Sequence, residues 1–196
     1  AAPIDGDRGN CRLAECQMGN LVADAMLDRV KDQGIQIAFQ NGGGLRASID
    51  GGEVTMGEVL TVLPFQNTLS TFQVTGATFV EALENGASQI EEGAGRFPQV
   101  AGLKYSWNQA NEPGSRIVEV MVAEGDSFVP IDRAKVYGVV TNYYMRNGGD
   151  GYRMFRDGMN AYDFGPGLEQ VVADFMAAKG DYTPFIDGRI TRIAAQ

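Results

Sequence analysis

Residues 35 to 46 read Ile35-Gln36-Ile37-Ala38-Phe39-Gln40-Asn41-Gly42-Gly43-Gly44-Leu45-Arg46, a short apolar run that passes without a spacer into three glycines. Ile35 to Phe39 is too short for a helix, and its apolar character reads as a buried strand. Immediately upstream, Leu21 to Gln33 carries Val22, Met26 and Val30 at a spacing of four, the pattern of an amphipathic helix, and Gly34 is a natural stop. A second copy of the strand-to-glycine arrangement lies further on. The β-branched run Val136 to Thr141 empties into Asn142-Tyr143-Tyr144-Met145-Arg146-Asn147-Gly148-Gly149-Asp150-Gly151-Tyr152. Two strand ends therefore carry Gly-rich loops.

The remaining elements read outward from these two. Thr55-Met56-Gly57-Glu58 has capping-box spacing and starts a short helix that ends before Leu63-Pro64-Phe65, because Pro64 restricts the residue ahead of it. Thr68 to Val74 reads as a strand. Ala77 to Ile90 reads as a helix with Val80, Leu83, Ala87 and Ile90 on one face, and Thr78 with Glu81 offers its cap. Gly102 to Trp107 and Arg116 to Val122 read as strands, Leu168 to Ala178 as a helix and Arg189 to Ile193 as a last strand. No linker, repeat or charge block divides the chain, and helices and strands interleave without strict alternation. The expected architecture is α+β: one domain over residues 1–196, a mixed β-sheet with packed helices.

Composition narrows the function. With 44% hydrophobic residues in 196, one sizeable core can form. No run of about 18 uncharged apolar residues exists to span a membrane. The net charge of −9 opposes broad contact with a nucleic-acid backbone, although a few arginines in one cleft can still reverse the local potential for a small anion. The chain has no histidine, which removes the usual general base, the commonest nitrogen metal ligand and every Ser-His or Cys-His nucleophile pair. Two cysteines cannot build a four-ligand zinc site. Acidic pairs such as Asp5 with Asp7 and Glu91 with Glu92 read as solvated surface rather than as hard-metal ligands. The start Ala1-Ala2-Pro3 suits either a processed secretory protein or an excised fragment.

Cys11 and Cys16 are five positions apart, where a tight turn brings thiols to disulfide distance in an oxidising compartment; the alternative is a pair of reduced core cysteines. So short a loop gains only about 2 kcal/mol in the chain-entropy model. The main effect of a bridge would be to fix the backbone around Arg12.

Each remaining motif has a plain structural reading beside a functional one. Gly42-Gly43-Gly44 either forms a turn or lets backbone adopt positive φ and approach a ligand closely. It lacks the Lys-Ser/Thr pair of a phosphate-cradling P-loop and the spacing of a dinucleotide fingerprint. Asp150 among glycines can stabilise a turn or accept hydrogen bonds from vicinal sugar hydroxyls. Phe65 and Tyr144 stand beside breaks rather than inside periodic segments, so each can fill the core or stack on a flat base.

As an ordered set, Cys11 to Leu21, Asn41 to Arg46, Leu63-Pro64-Phe65, Gly95 to Leu103 and Asn147 to Tyr152 resemble the C-terminal domain of the 5′-nucleotidase family, over nearly the whole chain. That family includes ecto-5′-nucleotidases, periplasmic UDP-sugar hydrolases and cyclic-nucleotide phosphodiesterases. The resemblance implies a nucleotide- or nucleoside-binding domain of a periplasmic or extracellular hydrolase. Phe65 and Tyr144 would sandwich the base, with tyrosine where phenylalanine is common. Asn41 would meet the base, Asp150 the ribose hydroxyls, and Arg12 and Arg46 the phosphate and ribose side. Gly43 and Gly44 would line the cleft. It also implies that two divalent metal ions and the catalytic His-Asp pair belong to an N-terminal metallophosphatase domain, leaving this chain with no cofactor and no catalytic residue of its own. A free-standing nucleoside-binding module and a hydrolase of non-nucleotide esters are the other readings.

Overall fold

The computed structural model describes residues 1–193. Within them, six helices and nine strands follow one another as α1 (Arg8–Cys11), α2 (Gln17–Val30), β1 (Ile37–Asn41), α3 (Met56–Val62), β2 (Leu69–Thr75), α4 (Gly76–Ala87), β3 (Pro98–Ala101), β4 (Leu103–Trp107), β5 (Ile117–Glu124), β6 (Ser127–Pro130), β7 (Val136–Asn142), α5 (Tyr143–Arg146), β8 (Met159–Tyr162), α6 (Leu168–Lys179) and β9 (Ile190–Arg192). The α+β architecture is as expected, and the mixed sheet is present as two. One has the order β3-β1-β7-β2-β8 and the other β6-β5-β4-β9. In the first only β1 and β7 are parallel, and in the second only β4 and β9.

The five-stranded sheet is covered on both faces because its central strands alternate between two apolar sets. Ala38, Leu69 and Val140 face one core with residues of α2, α3 and α6. Ile37, Phe39, Phe72 and Val139 face the other, which holds α4 and the inner side of the second sheet. Phe39 meets Phe79, Tyr152 and Phe155 edge-on at 5.3, 5.3 and 5.5 Å between centroids. Such pairs add about 0.5–1.5 kcal/mol each beyond burial. Every side chain of β1 is buried, so the strand that leads into the glycines is fixed from both sides.

Three helix starts depend on small side chains. Thr55 and Glu58 form the reciprocal capping box the sequence indicated. Helix α2 begins at Gln17, four residues before the apolar periodicity starts, because the Cys16 sulfur accepts the Gly19 N–H and serves as cap. Helix α4 is capped by Thr75, whose hydroxyl accepts the Thr78 N–H, and not by Thr78 with Glu81. Gly76 permits this earlier start: any Cβ there would run into the Asp132 carbonyl. Gly34 ends the α2 region in the left-handed conformation, as its position suggested.

Candidate functional site

The parallel pairing of β1 with β7, in register at Ile37–Val139 and Phe39–Thr141, sends both chains out of the sheet at the same edge. The two Gly-rich loops are therefore neighbours in space though about 100 residues apart in sequence. Strand β3 runs antiparallel to β1 with Asn41 opposite Pro98, which brings Gly95 and Arg96 to the same edge from the other direction. Ligands of open sheets collect outside such carboxyl ends. Here the loops enclose a cavity of about 570 Å³, lined by Arg12, Asn41, Gly43, Gly44, Arg46, Phe65, Asn67, Gly95, Tyr144 and Asp150. All eight residues singled out from the sequence line it. Asn67 and Gly95 are additions.

Of the two readings the sequence allowed for the glycines, the turn is present and the positive φ is not. Gly42, Gly43 and Gly44 form a 3₁₀ turn, and none has positive φ. What they lack is room. A Cβ on Gly42 would strike the Cys11 carbonyl, one on Gly43 would lie 2.7 Å from the Gly95 Cα, and one on Gly44 would strike the Gln40 amide. Gly43 N–H donates to the Gly95 carbonyl at 2.7 Å, and Gly42 N–H to the Phe97 carbonyl at 2.8 Å. The triple glycine is a junction where three segments cross at backbone contact, and the cavity floor is that junction.

On one side of the floor stands a polar network centred on Asp150, which adopts the left-handed conformation at φ 52°. Short polar residues tolerate that region better than most. Asn41 Nδ2 donates to Asp150 Oδ2 at 2.7 Å, and Tyr144 Oη donates to Asp150 Oδ1 at 3.0 Å. Tyr144 Oη also accepts the Asp150 N–H at 3.2 Å, so the phenol and the carboxylate residue close a ring of contacts. Buried Asn142 donates to Gln40 Oε1 and to Asn41 Oδ1, at 2.9 and 3.0 Å, and so sets which way the Asn41 amide points. Each carboxylate oxygen of Asp150 has used one of its acceptor directions, and each has capacity left toward the cavity. A Cβ on Gly149 would sit 2.5 Å from two Tyr144 ring carbons, so the ring packs against the Gly149 backbone. Tyr144 is nevertheless 48% exposed. Burial, then the adjacent Asp150 charge, raises its phenol above the ordinary tyrosine range.

The cavity is also lined by cationic and aromatic side chains. Cys11 and Cys16 form a disulfide, and Arg12 lies inside the loop they close. Arg12 donates to the Gly93 carbonyl at 3.2 Å, while its Nε is buried without a partner among the described residues. Burial, then Arg8 and Arg46, lowers its guanidinium from the usual range, and Asp150 acts the other way. Arg46 donates to the Gly43 carbonyl at 3.3 Å, and its guanidinium carbon lies 5.7 Å from the Phe65 ring centroid. Phe65 itself is 57% exposed. It follows the end of α3 and precedes Gln66, whose φ of 52° turns the chain sharply, so Phe65 and Asn67 both reach the cavity.

This arrangement can hold a flat ring against exposed aromatics, accept hydrogen bonds from neutral hydroxyls at Asp150 and attract an anion to two arginines. Among the described residues, no three His, Cys, Asp or Glu side chains gather where they could hold a metal ion, and both cysteine sulfurs are spent in the disulfide. Asn67 was missed because the sequence shows only a polar residue after a proline turn. The Gly95 signal was clearer, since Gly95-Arg96-Phe97-Pro98 is a break before an apolar run, but a partner for Gly43 is visible only in three dimensions.

A family model described as 5′-nucleotidase, C-terminal domain, matches residues 1–157. The chain is 41% identical over 194 residues to the Bacillus subtilis trifunctional nucleotide phosphoesterase protein YfkN, covering 97% of this chain and 13% of that protein. It is 31% identical over 201 residues to the human 5′-nucleotidase, covering 95% of this chain and 35% of that one. Among solved structures, a 5′-nucleotidase precursor from Thermus thermophilus superposes with a TM-score of 0.96 at 39% identity, over 100% of this chain and 39% of that one. The Haemophilus influenzae NAD nucleotidase superposes with a TM-score of 0.82 at 28% identity, over 92% and 33%. The chain thus spans between 13% and 39% of the length of these four proteins.

Proposed function

This chain belongs to the 5′-nucleotidase C-terminal domain family, and we propose that its cavity binds the nucleoside part of a nucleotide and presents the phosphate to a metal-bearing domain elsewhere in the whole protein. The observation that carries this reading is the convergence, around one cavity of about 570 Å³, of two exposed aromatic rings, two arginines and the Asn41–Asp150 pair. Phe65 and Tyr144 offer the stacking surfaces, and base-aromatic stacking contributes about 1–3 kcal/mol per base. Asp150, held by Asn41 and Tyr144, accepts the vicinal hydroxyls of the ribose. Asn41 contributes to the base or sugar edge, and Gly43 and Gly44 form the floor. Arg12 and Arg46 meet the phosphate side, where an anion would offset the burial of the Arg12 charge and the repulsion that Arg8 and Arg46 add to it.

In the whole protein, residues 1–196 act as one recognition domain beside a metallophosphatase domain. Two divalent ions there would supply an activated water for phosphomonoester hydrolysis. Among the described residues no cluster of His, Cys, Asp or Glu fits such ions, and in this reading the chain contributes binding and orientation. The disulfide supports a periplasmic or extracellular setting, where oxidised cysteines persist.

Calorimetric titration with AMP and adenosine tests this reading. Saturable binding of both, with AMP the tighter, is expected; no heat at millimolar ligand would refute it. Phosphatase assay of the pure chain with added divalent metal is expected to show no turnover, and clear turnover would overturn the division of labour.

A further inference from the structure

Gln99 lies on β3 with its side chain fully buried, yet its carboxamide is not spent on the sheet. Its Nε2 donates to the Cys11 carbonyl at 2.9 Å and the Ala14 carbonyl at 2.7 Å, and its Oε1 accepts the Cys16 N–H at 3.2 Å. These three partners belong to the loop that the disulfide closes, and Arg12 projects from that loop into the cavity. The fit leaves no slack. A Cβ on Gly19, at the start of α2, would overlap the Gln99 carboxamide, and the Cys11 carbonyl is also the atom against which Gly42 packs. One glutamine thus joins the Cys loop, the first turn of α2 and the strand that borders the glycine junction.

We propose that Gln99 is a positioning residue for Arg12: it holds the Cys11–Cys16 loop against the sheet through three hydrogen bonds, so that the arginine meets the phosphate side of the ligand whether or not the disulfide is closed. The disulfide ties the loop only to itself, because Cys11 and Cys16 are its two ends. Gln99 ties the loop to β3, a separate part of the domain, and this external attachment sets where Arg12 stands relative to Asn41 and Arg46. The ligand half of this inference rests on the nucleotide reading above, and the loop half does not.

The test uses Gln99→Met, which keeps the volume and removes all three hydrogen bonds, with AMP and adenosine as probes. Expected is a loss of AMP affinity of about tenfold, the scale of a misplaced charged contact, with adenosine affinity nearly unchanged. In an Arg12→Ala background the same substitution is expected to change AMP affinity no further. Equal losses for both ligands, or an undiminished effect without Arg12, would overturn the proposal. The variant Cys11→Ser with Cys16→Ser gives a second reading that leaves Gln99 intact. It is expected to keep AMP affinity close to native, and a fall to the Arg12→Ala level would overturn the claim that Gln99 suffices. Peptide-level hydrogen exchange reads the loop without any ligand. Gln99→Met is expected to raise exchange across residues 11–16 by about tenfold or more while α4 stays protected. Unchanged loop exchange would refute the attachment itself, whereas native protein that binds neither probe would count against the nucleotide reading alone.

Discussion

Replacing Tyr144 by phenylalanine separates the two roles that its side chain combines. The ring and its contact with Gly149 remain, while the O–H donated to Asp150 Oδ1 at 3.0 Å and the acceptor for the Asp150 N–H at 3.2 Å are lost. A hydrogen bond to a buried charge contributes about 1.5–3 kcal/mol, but this one is partly open to water, which can replace the phenol, so a folding cost of about 0.5–1 kcal/mol is expected. Binding should suffer through organisation rather than contact. The ring and Asp150 must be ordered by the ligand instead of by each other, at about 0.5–1.5 kcal/mol for one side chain, or an AMP affinity about 2- to 10-fold weaker. Tyr144→Ala removes the stacking surface as well and should cost about 5- to 150-fold. Titration calorimetry on the three proteins reads the difference. If Tyr144→Phe bound AMP as poorly as Tyr144→Ala, or more tightly than native, the lock between ring and carboxylate would be refuted.

Three further outcomes follow from other residues. Gly43→Ala places a Cβ 2.7 Å from the Gly95 Cα, backbone against backbone, so the junction must shift; a fall in unfolding free energy of about 1–3 kcal/mol by denaturant titration is expected, and an unchanged midpoint would contradict the close crossing. Arg46→Ala should weaken AMP well beyond adenosine, since its guanidinium leans over an exposed ring and not into the core; equal loss for both ligands in parallel titrations would remove Arg46 from the phosphate side. At alkaline pH the buried phenols decide stability. Burial pushes Tyr182 up to about 12 and raises Tyr105 and Tyr152 well above the ordinary 10.0. A folded-state value above the unfolded one favours the neutral phenol in the fold, so this stability is fully present below pH 10 and is lost as pH rises through the folded values. Thermal midpoints should therefore be insensitive to these phenols up to pH 10 and fall between pH 10 and 12, and a flat profile across that window would be contrary.

Much of the fold and of the cavity was legible because the informative residues sit at breaks. Strands β1 and β7 are apolar or β-branched runs that end in glycines, and Phe65 and Tyr144 interrupt no periodic pattern, so both loops and both rings stand out in the sequence without knowledge of their neighbours in space. The strands that escaped notice, β3, β6 and β8, are four-residue edges of the two sheets. Pro98 opens β3, which is tolerated at an edge because the missing N–H costs no ladder bond, and the same proline obscures the strand in sequence. The start of α4 was displaced to Thr75 because the freedom of Gly76 to approach Asp132 is a tertiary fact. For the same reason the glycines at 42–44 read from the sequence as a turn or a close approach to a ligand, without the contacts that require them. Their need for glycine arises from Cys11, Gly95 and Gln40, and only Gln40 is near them in sequence. The hydroxyl of Tyr144 pairs with Asp150, six residues away across a left-handed turn, a contact that sequence spacing alone does not show.

In the proposed function the cavity binds a base between Phe65 and Tyr144. Because both rings are about half exposed, removing them should cost only about 1–2 kcal/mol each and leave the chain folded, so affinity can be read on folded protein. Titration of adenosine into the native chain, Phe65→Ala, Tyr144→Ala and the double variant is the most direct measurement. Binding is expected to weaken about 5- to 150-fold for each ring removed, with every variant still folded at the titration temperature. Adenosine affinity that survives the loss of both rings in folded protein would contradict the claim.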